Sequence, residues 1–206
     1  MKTIILSDTH LTTSFDERKF KVLKSVIEEG DKIIINGDFW DGFFCTFEQF
    51  TTSKWNQLFP LLKKKETIYL YGNHDTNDMM NEKVEEFSCK QTQSTFLDAQ
   101  DKQLVITHGH NIINNPRSNL VSIIGDMCAN IVGPSFYRIS TYANVRMKTF
   151  AKSHMNDHRI LVSGHSHLFE FSPKESFINL GVINHGWAQY IVVDNGKITS
   201  VNEKYR

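Results

Sequence analysis

Five times along this chain a short apolar run, rich in Ile and Val, stops at a cluster of His, Asp or Asn. Thr3 to Leu6 leads into Asp8 and His10, and Lys32 to Ile35 leads into Asp38. Thr67 to Tyr71 leads into Asn73, His74 and Asp75. Gln103 to Thr107 leads into His108 and His110, and Arg159 to Ser163 leads into His165 and His167. Runs this short and this β-branched predict buried strands. The polar clusters then fall at carboxyl ends of strands, where open α/β sheets gather their ligands.

Helical patterns separate the first three strands. Asp16 to Glu29 carries Phe20, Leu23, Val26 and Ile27 on one face and stops at Gly30. Phe47 to Leu62 carries Phe50, Trp55, Leu58, Phe59 and Leu62, and Asp78 to Phe87 is a shorter helical candidate. Beyond His110 the strand signal lapses. Leu120, Ile123, Ile124, Met127 and Ile131 form one stripe, which Gly133 and Pro134 break. Phe136, Ile139, Tyr142, Val145 and Phe150 form a second. A helical hairpin over about 117–156, inserted between two strands, is expected. The tail from Phe177 reads as β structure, with a turn at Asp194, Asn195 and Gly196 between Tyr190–Val193 and Ile198–Val201. Alternation of strands and helices predicts an α/β fold. No repeat or linker interrupts the 206 residues, so a single domain over 1–206 is expected.

Five motifs matter jointly: Asp8-Thr-His10, Gly37-Asp38-Phe-Trp-Asp41, Gly72-Asn73-His74-Asp75, His108-Gly109-His110 and Gly164-His165-Ser-His167. A single His or Asp at a strand end is usually a turn residue. All five in this order point to a metal centre. Mixed imidazole and carboxylate ligands suit Mn, Fe, Zn or Ni better than Ca or Mg, which take all-oxygen shells. Paired ions lie about 3.5–4 Å apart and need a shared carboxylate, for which Asp38 is the best candidate. His165 and His167 can aim one ring at each ion. Two divalent ions facing only Asp8 and Asp38 as anions leave a surplus of about two positive charges. That surplus suits phosphate binding and acidifies bound water.

These residues resemble the calcineurin-like metallophosphoesterase superfamily, and the resemblance spans Asp8 to His167. It implies a four-layer α/β/β/α sandwich with a helical insert. It implies that Asp8, His10, Asp38 and His167 hold one ion and that Asp38, Asn73, His108 and His165 hold the other. Two divalent transition metal ions are expected, with Mn the leading candidate and Fe, Zn or Ni as alternatives. The implied reaction is phosphoester hydrolysis by a metal-bridging hydroxide. The implied role of His74 is to stabilise the transition state and protonate the leaving group, with Asp75 holding its ring. Asp41 is open to two readings, a support behind the ligands or a helix N-cap. His110 either supports the ligands or meets substrate. His154 and His158 are expected at the surface, and His185 at the edge of the pocket.

The ester is less legible. Phosphoprotein phosphatases of the superfamily have Arg after the second Asp of this motif, whereas Gly42 and Phe43 follow Asp41. A phosphodiester or pyrophosphate is therefore the expected bond. The alternatives are a small-metabolite phosphomonoester and a non-catalytic scaffold for partners. Gly37 to Asp41, followed by Phe43 and Phe44, is similar to the UDP-2,3-diacylglucosamine hydrolase branch, as is a helical insert before the last motif. That branch has Arg where His74 stands, and its insert is more basic. His74 and His-Gly-His are closer to small bacterial phosphodiesterases. Between Arg117 and Arg159 the chain carries a net four positive charges, although it is neutral overall with 23 acidic and 23 basic residues. The insert is expected either to cap the site, with Arg138 and Arg146 meeting a small anionic phosphoester, or to expose a solvated basic face. The neutral balance argues against nucleic acid as a partner. Ser7 and Asp8 follow Leu6 too soon for a secretory h-region. No apolar run approaches the ~20 residues that span a bilayer. Three scattered cysteines suit a reduced compartment, so a cytoplasmic location is expected. Peripheral membrane contact and homo-oligomerisation stay open.

Overall fold

The computed structural model describes residues 1–113 and 141–205. The first strands are β1 (Lys2–Leu6), β2 (Lys32–Asn36), β3 (Ile68–Leu70) and β4 (Lys90–Thr92), all parallel in that order. A second run comprises β5 (Ser94–Ala99), β6 (Lys102–Thr107), β7 (Arg159–Ser163), β8 (Glu170–Ser172) and β9 (Phe177–Asn179). The tail supplies β10 (Ile183–Asn184), β11 (Trp187–Asp194) and β12 (Lys197–Lys204). Among the described residues one sheet is ordered β10-β11-β1-β2-β3-β4, with β12 also on β11, and the other β5-β6-β7-β9-β8. The β11–β12 hairpin turns at Asn195 (φ 49°) and Gly196 (φ 79°), the left-handed pair that a two-residue turn requires.

Alternation along each strand builds the layers. Ile4, Leu6, Ile33 and Ile35 face helices, whereas Ile5, Ile34 and Leu70 face the second sheet and meet Leu104, Ile106, Ile160 and Val162. Both faces of β1 and β2 are therefore covered, which explains their unbroken apolar runs. On the outer face lies α1 (Glu17–Glu29). Asp16 caps it, accepting from the Arg18 and Lys19 N–H groups, and it buries Leu23, Val26 and Ile27. The opposite outer face carries α4 (His110–Ile113) and α5 (Thr141–His154), where Ile113, Met147 and Ala151 pack on Leu161 and Phe177. The result is helices, sheet, sheet, helices, as expected.

Three expected elements differ. Phe47 to Leu62 is not one helix. It divides into α2 (Phe47–Thr51), a 3-10 turn (Lys54–Leu58) and α3 (Phe59–Lys64). A Thr46/Gln49 capping box starts α2, Ser53 caps the 3-10 turn, and Pro60 in the first turn of α3 starts a new helix. Asp78 to Phe87 forms two 3-10 turns, Asn77–Met79 and Glu82–Glu86, because Asn81 caps the second and interrupts the first. The expected hairpin falls mostly outside the described residues, including Arg117, Arg138 and the first apolar stripe. In α5 the buried face is Asn144, Met147 and Ala151, whereas Tyr142 and Val145 are 66% and 49% exposed. The helix is rotated from the expected stripe because Met147 and Ala151 fit against Leu161 and Phe177, while Asn144 finds buried polar partners.

Candidate metal centre

All five motifs leave their strands at one edge shared by the two sheets. The sheets are tied there directly. The Asn36 amide donates to the Thr107 carbonyl at 3.2 Å, and His108 Nδ1 donates to the Asn36 carbonyl at 2.8 Å. The His165 N–H meets the Asp8 carboxylate at 3.1 Å. Strand pairing thus brings residues from opposite ends of the chain into one cluster.

Asp8, His10, Asp38 and His167 converge with ligand atoms within 4.8 Å of one another, as do Asp38, His108 and His165. Asp38 belongs to both groups. Asn73 joins the second, its Oδ1 lying 2.7 Å from His165 Nδ1 and 3.2 Å from His108 Nε2. In the first, His167 Nε2 lies 3.1 Å from Asp8 Oδ1, and the Nε2 atoms of His10 and His167 face each other at 3.0 Å.

Two observations fit these residues to divalent cations. Asp38 Oδ2 is fully buried with no well-formed hydrogen bond, although ring nitrogens of His108, His10 and His74 stand 3.2, 3.9 and 4.0 Å away. A buried carboxylate oxygen served only by such imperfect contacts is costly unless a cation, imidazolium or metal, meets it. Two imidazole nitrogens at 3.0 Å likewise repel through their lone pairs unless a proton or metal intervenes. The backbone is strained at the same places. Asp8, His10, Asp38, His165 and His167 have φ of 54°, 44°, 52°, 64° and 58°, a left-handed region that costs about 1–3 kcal/mol for residues other than glycine.

Close approach explains two glycines. A Cβ at Gly72 would stand 2.0 Å from Asp38 Oδ1, and one at Gly164 would stand 2.3 Å from Asp8 Oδ2. Any side chain at either position would displace a candidate ligand.

The charges are mutually sustaining. Burial raises the Asp38 carboxyl, but His108, His74 and His10 outweigh it and hold it well below the usual range. Burial disfavours a charged His108, yet Asp38 and Asp8 push it up to about 10. Burial and the neighbouring His108 bring His165 down to about 3, leaving its ring neutral as a ligand must be. The carboxylate field that holds the His108 proton would equally hold a divalent cation.

His74 is buried beside this cluster and its backbone N–H donates to Asp38 Oδ1 at 2.9 Å. Its ring is held by Asp41, with Nδ1 donating to Oδ1 at 3.0 Å. The second oxygen of Asp41 accepts from His10 Nδ1 at 3.2 Å. Burial raises the Asp41 carboxyl, and its bonds to His10 and His74 more than reverse that, holding it far below the usual range. This corrects the role expected of Asp75. Its oxygens accept from the backbone N–H groups of Gly72, Asp38 and Phe39 and from the Tyr69 hydroxyl, so it clamps two motif backbones together. The helix-cap reading of Asp41 also falls, because Thr46 caps α2.

His110 is half-buried, with its ring centroid 5.5 Å from that of His108, and burial and that neighbour lower it to about 4. His154 and His158 are exposed. His185, together with Asn184, Lys19, Trp55 and Phe44, lines a cavity of about 380 Å³ that reaches His10 and Asp41. Arg138 lies outside the described residues. Arg146 is exposed on α5 and donates to the Tyr142 hydroxyl at 3.3 Å. Lys148 and Lys152 pair with Glu170 and Glu175, which neutralises part of the insert's charge. Sequence reading missed Ser7, whose single hydroxyl hydrogen is shared between Asp8 Oδ2 and the Asn36 carbonyl. It also missed Asn144 and Asn179, which no motif marks. Ser7 abuts Asp8, and that adjacency was the one available signal.

Comparison with known proteins identifies the family and the fold. A family model described as the calcineurin-like phosphoesterase superfamily domain matches residues 1–201. No curated protein matches the sequence. Among solved structures the chain is similar to wild-type Vps29 of Entamoeba histolytica complexed with zinc, at 12% identity and a TM-score of 0.50, covering 100% of each chain. It is similar to a Thermotoga maritima protein solved by NMR, at 19% identity and TM-score 0.51, covering 98% of each. It is also similar to YfcE, a phosphoesterase from E. coli, at 16% identity and TM-score 0.50, again covering 98% of each. At these identities the likenesses speak to the fold. With all but its last five residues matched by the family model, the chain belongs to the calcineurin-like phosphoesterase superfamily.

Proposed function

We propose that the chain hydrolyses a phosphodiester or pyrophosphate with two divalent transition metal ions, Mn being the first choice. The observation that carries this reading is the position of Asp38, common to two ligand clusters and flanked by the Asp41–His74 pair. Asp8, His10, Asp38 and His167 would hold one ion, and Asp38, Asn73, His108 and His165 the other. When bound, such a pair supplies Lewis acidity to phosphoryl oxygens and a water-derived nucleophile at neutral pH.

The chain's own residues then do three things. Asp41 fixes the His74 tautomer by accepting its Nδ1–H, which leaves Nε2 to hold a proton for the leaving oxygen. The same carboxylate accepts from His10 Nδ1 and so turns His10 Nε2 towards Asp8 and Asp38. The cavity beside His10 and Asp41 offers room for the second esterifying group, a feature that a monoester does not need.

The test is an assay of Mn-loaded protein against bis-p-nitrophenyl phosphate and p-nitrophenyl phosphate. Faster turnover of the diester is expected. Preference for the monoester would replace this reading with a phosphomonoesterase. Turnover of neither, with both ions bound, would favour a non-catalytic scaffold.

A further inference from the structure

The loop Gly164 to His167 carries two candidate ligands in strained left-handed conformation, with Ser166 between them. Strain of this kind persists only where the surroundings over-determine it. The surroundings here are a buried polar network that no motif announces. Asn144, on α5, is 1% exposed. Its Oδ1 accepts from the Ser166 hydroxyl at 2.6 Å and from the Asn179 amide at 3.1 Å. Its Nδ2 donates to the Leu168 carbonyl at 3.0 Å and to Glu170 Oε2 at 3.1 Å. A side-chain amide has two donor hydrogens and two acceptor lone pairs, so all of its capacity is engaged. Asn179 completes the clamp from β9: its two amide hydrogens are shared among Asn144 Oδ1, the Gly164 carbonyl at 2.8 Å and Ser166 Oγ at 2.9 Å.

We propose that Asn144 is a positioning residue for the metal centre: by gripping Ser166 and Leu168 it holds the His165 and His167 rings in ligating geometry, and it makes that geometry depend on the docking of α5. The inference rests on the metal reading of the preceding subsection. Its physical basis is the cost of leaving buried polar groups without partners. Truncation of Asn144 leaves the buried Ser166 hydroxyl without its acceptor and the Leu168 carbonyl without its side-chain donor. The loop then recovers hydrogen bonds by relaxing its left-handed residues, and relaxation turns both rings away from Asp8 and Asn73. Because α5 is the described end of the inserted segment, that end of the insert becomes a structural member of the metal site.

The experiment is calorimetric titration of the full chain with Mn²⁺ and, separately, Zn²⁺, for wild type, Asn144→Ala, Ser166→Ala and the double variant. Circular dichroism of each metal-free protein checks that it is folded. Loss of a partner behind a ligand typically weakens metal affinity by ~10–100-fold, and a loss in that range is expected for each single variant. The double variant should be no weaker than the worse single one, because both remove the same grip. Lys148→Ala, which breaks the neighbouring ion pairs of α5 with Glu170 and Glu175, should bind both ions as wild type does. Wild-type affinity in folded Asn144→Ala would overturn the inference, as would multiplicative losses in the double variant. If Asn144→Ala does not fold, Ser166→Ala decides alone, and unchanged affinity there overturns it equally. A wild-type protein that takes up neither ion would overturn the metal reading and the inference with it.

Discussion

Asp41 Oδ1 lies 3.0 Å from His74 Nδ1, and both groups are buried. A buried carboxylate on one ring nitrogen sets the tautomer and the orientation of the other. His74→Asn and Asp41→Asn should therefore share a signature. Both should slow turnover about 10²-fold or more for a diester with an alkoxide leaving group. Both should have a smaller effect on p-nitrophenolate, which leaves without a proton. Equal losses on both leaving groups would remove His74 from the proton-transfer role.

Asp38 is the carboxylate common to both clusters. Asp38→Asn should abolish dinuclear binding, measured as metal per chain by mass spectrometry, and reduce kcat by ~10³-fold or more. Retention of two ions and full activity would refute its shared role.

Gly72 has no room for a side chain, since an added carbon would stand 2.0 Å from Asp38 Oδ1. Gly72→Ala should lower stability by about 1–3 kcal/mol through overpacking. It should also weaken metal binding, because Asp38 is the atom group that must move. Denaturant melts and metal titrations on one preparation would check both.

Metal bound to the native state alone should raise its melting temperature. An ion present at ~1,000 times its Kd contributes about 4 kcal/mol, or roughly 10 °C in a chain of this size. Chelation should reverse this. A melting temperature indifferent to chelator would mean that the cluster holds no ion.

Asp75 is held by three backbone N–H groups and the Tyr69 hydroxyl. Tyr69→Phe should destabilise the fold by about 1–3 kcal/mol, because a buried acceptor loses its donor. It should leave the leaving-group dependence of turnover unchanged, since His74 is oriented by Asp41. A change in that dependence would restore Asp75 to the role expected from its place in the motif.

Motif and period explain what could be foreseen. Ile4 to Leu6 and Ile33 to Ile35 read as strands covered on both faces because their side chains have no polar alternation. The convergence of the motif side chains was equally legible, because cation chemistry restricts which side chains can serve together as candidate ligands. The helix over Phe47 to Leu62 failed because Thr46, Ser53 and Pro60 act on backbone groups locally, while the apolar spacing runs through them unchanged. The stripe on α5 failed because Tyr142 and Val145 are apolar without being buried.

By itself the sequence determined the five strands that lead into the motifs and the family, since each rests on residue type and local spacing, but not Lys90–Thr92, Ser94–Ala99 or Glu170–Ser172, whose short runs carry no strand period. Tertiary structure alone decided which carboxylate orients His74, and that Asn144 grips the His165–His167 loop. Asp41 and Asp75 have the same side chain and both stand in motifs. Only the packing of β1, β2 and β3 brings one within 3.0 Å of the His74 ring and directs the other to backbone N–H groups. Hydrogen bonds between residues 22 or 33 positions apart depend on how sheets and helices meet, and no local pattern encodes that distance.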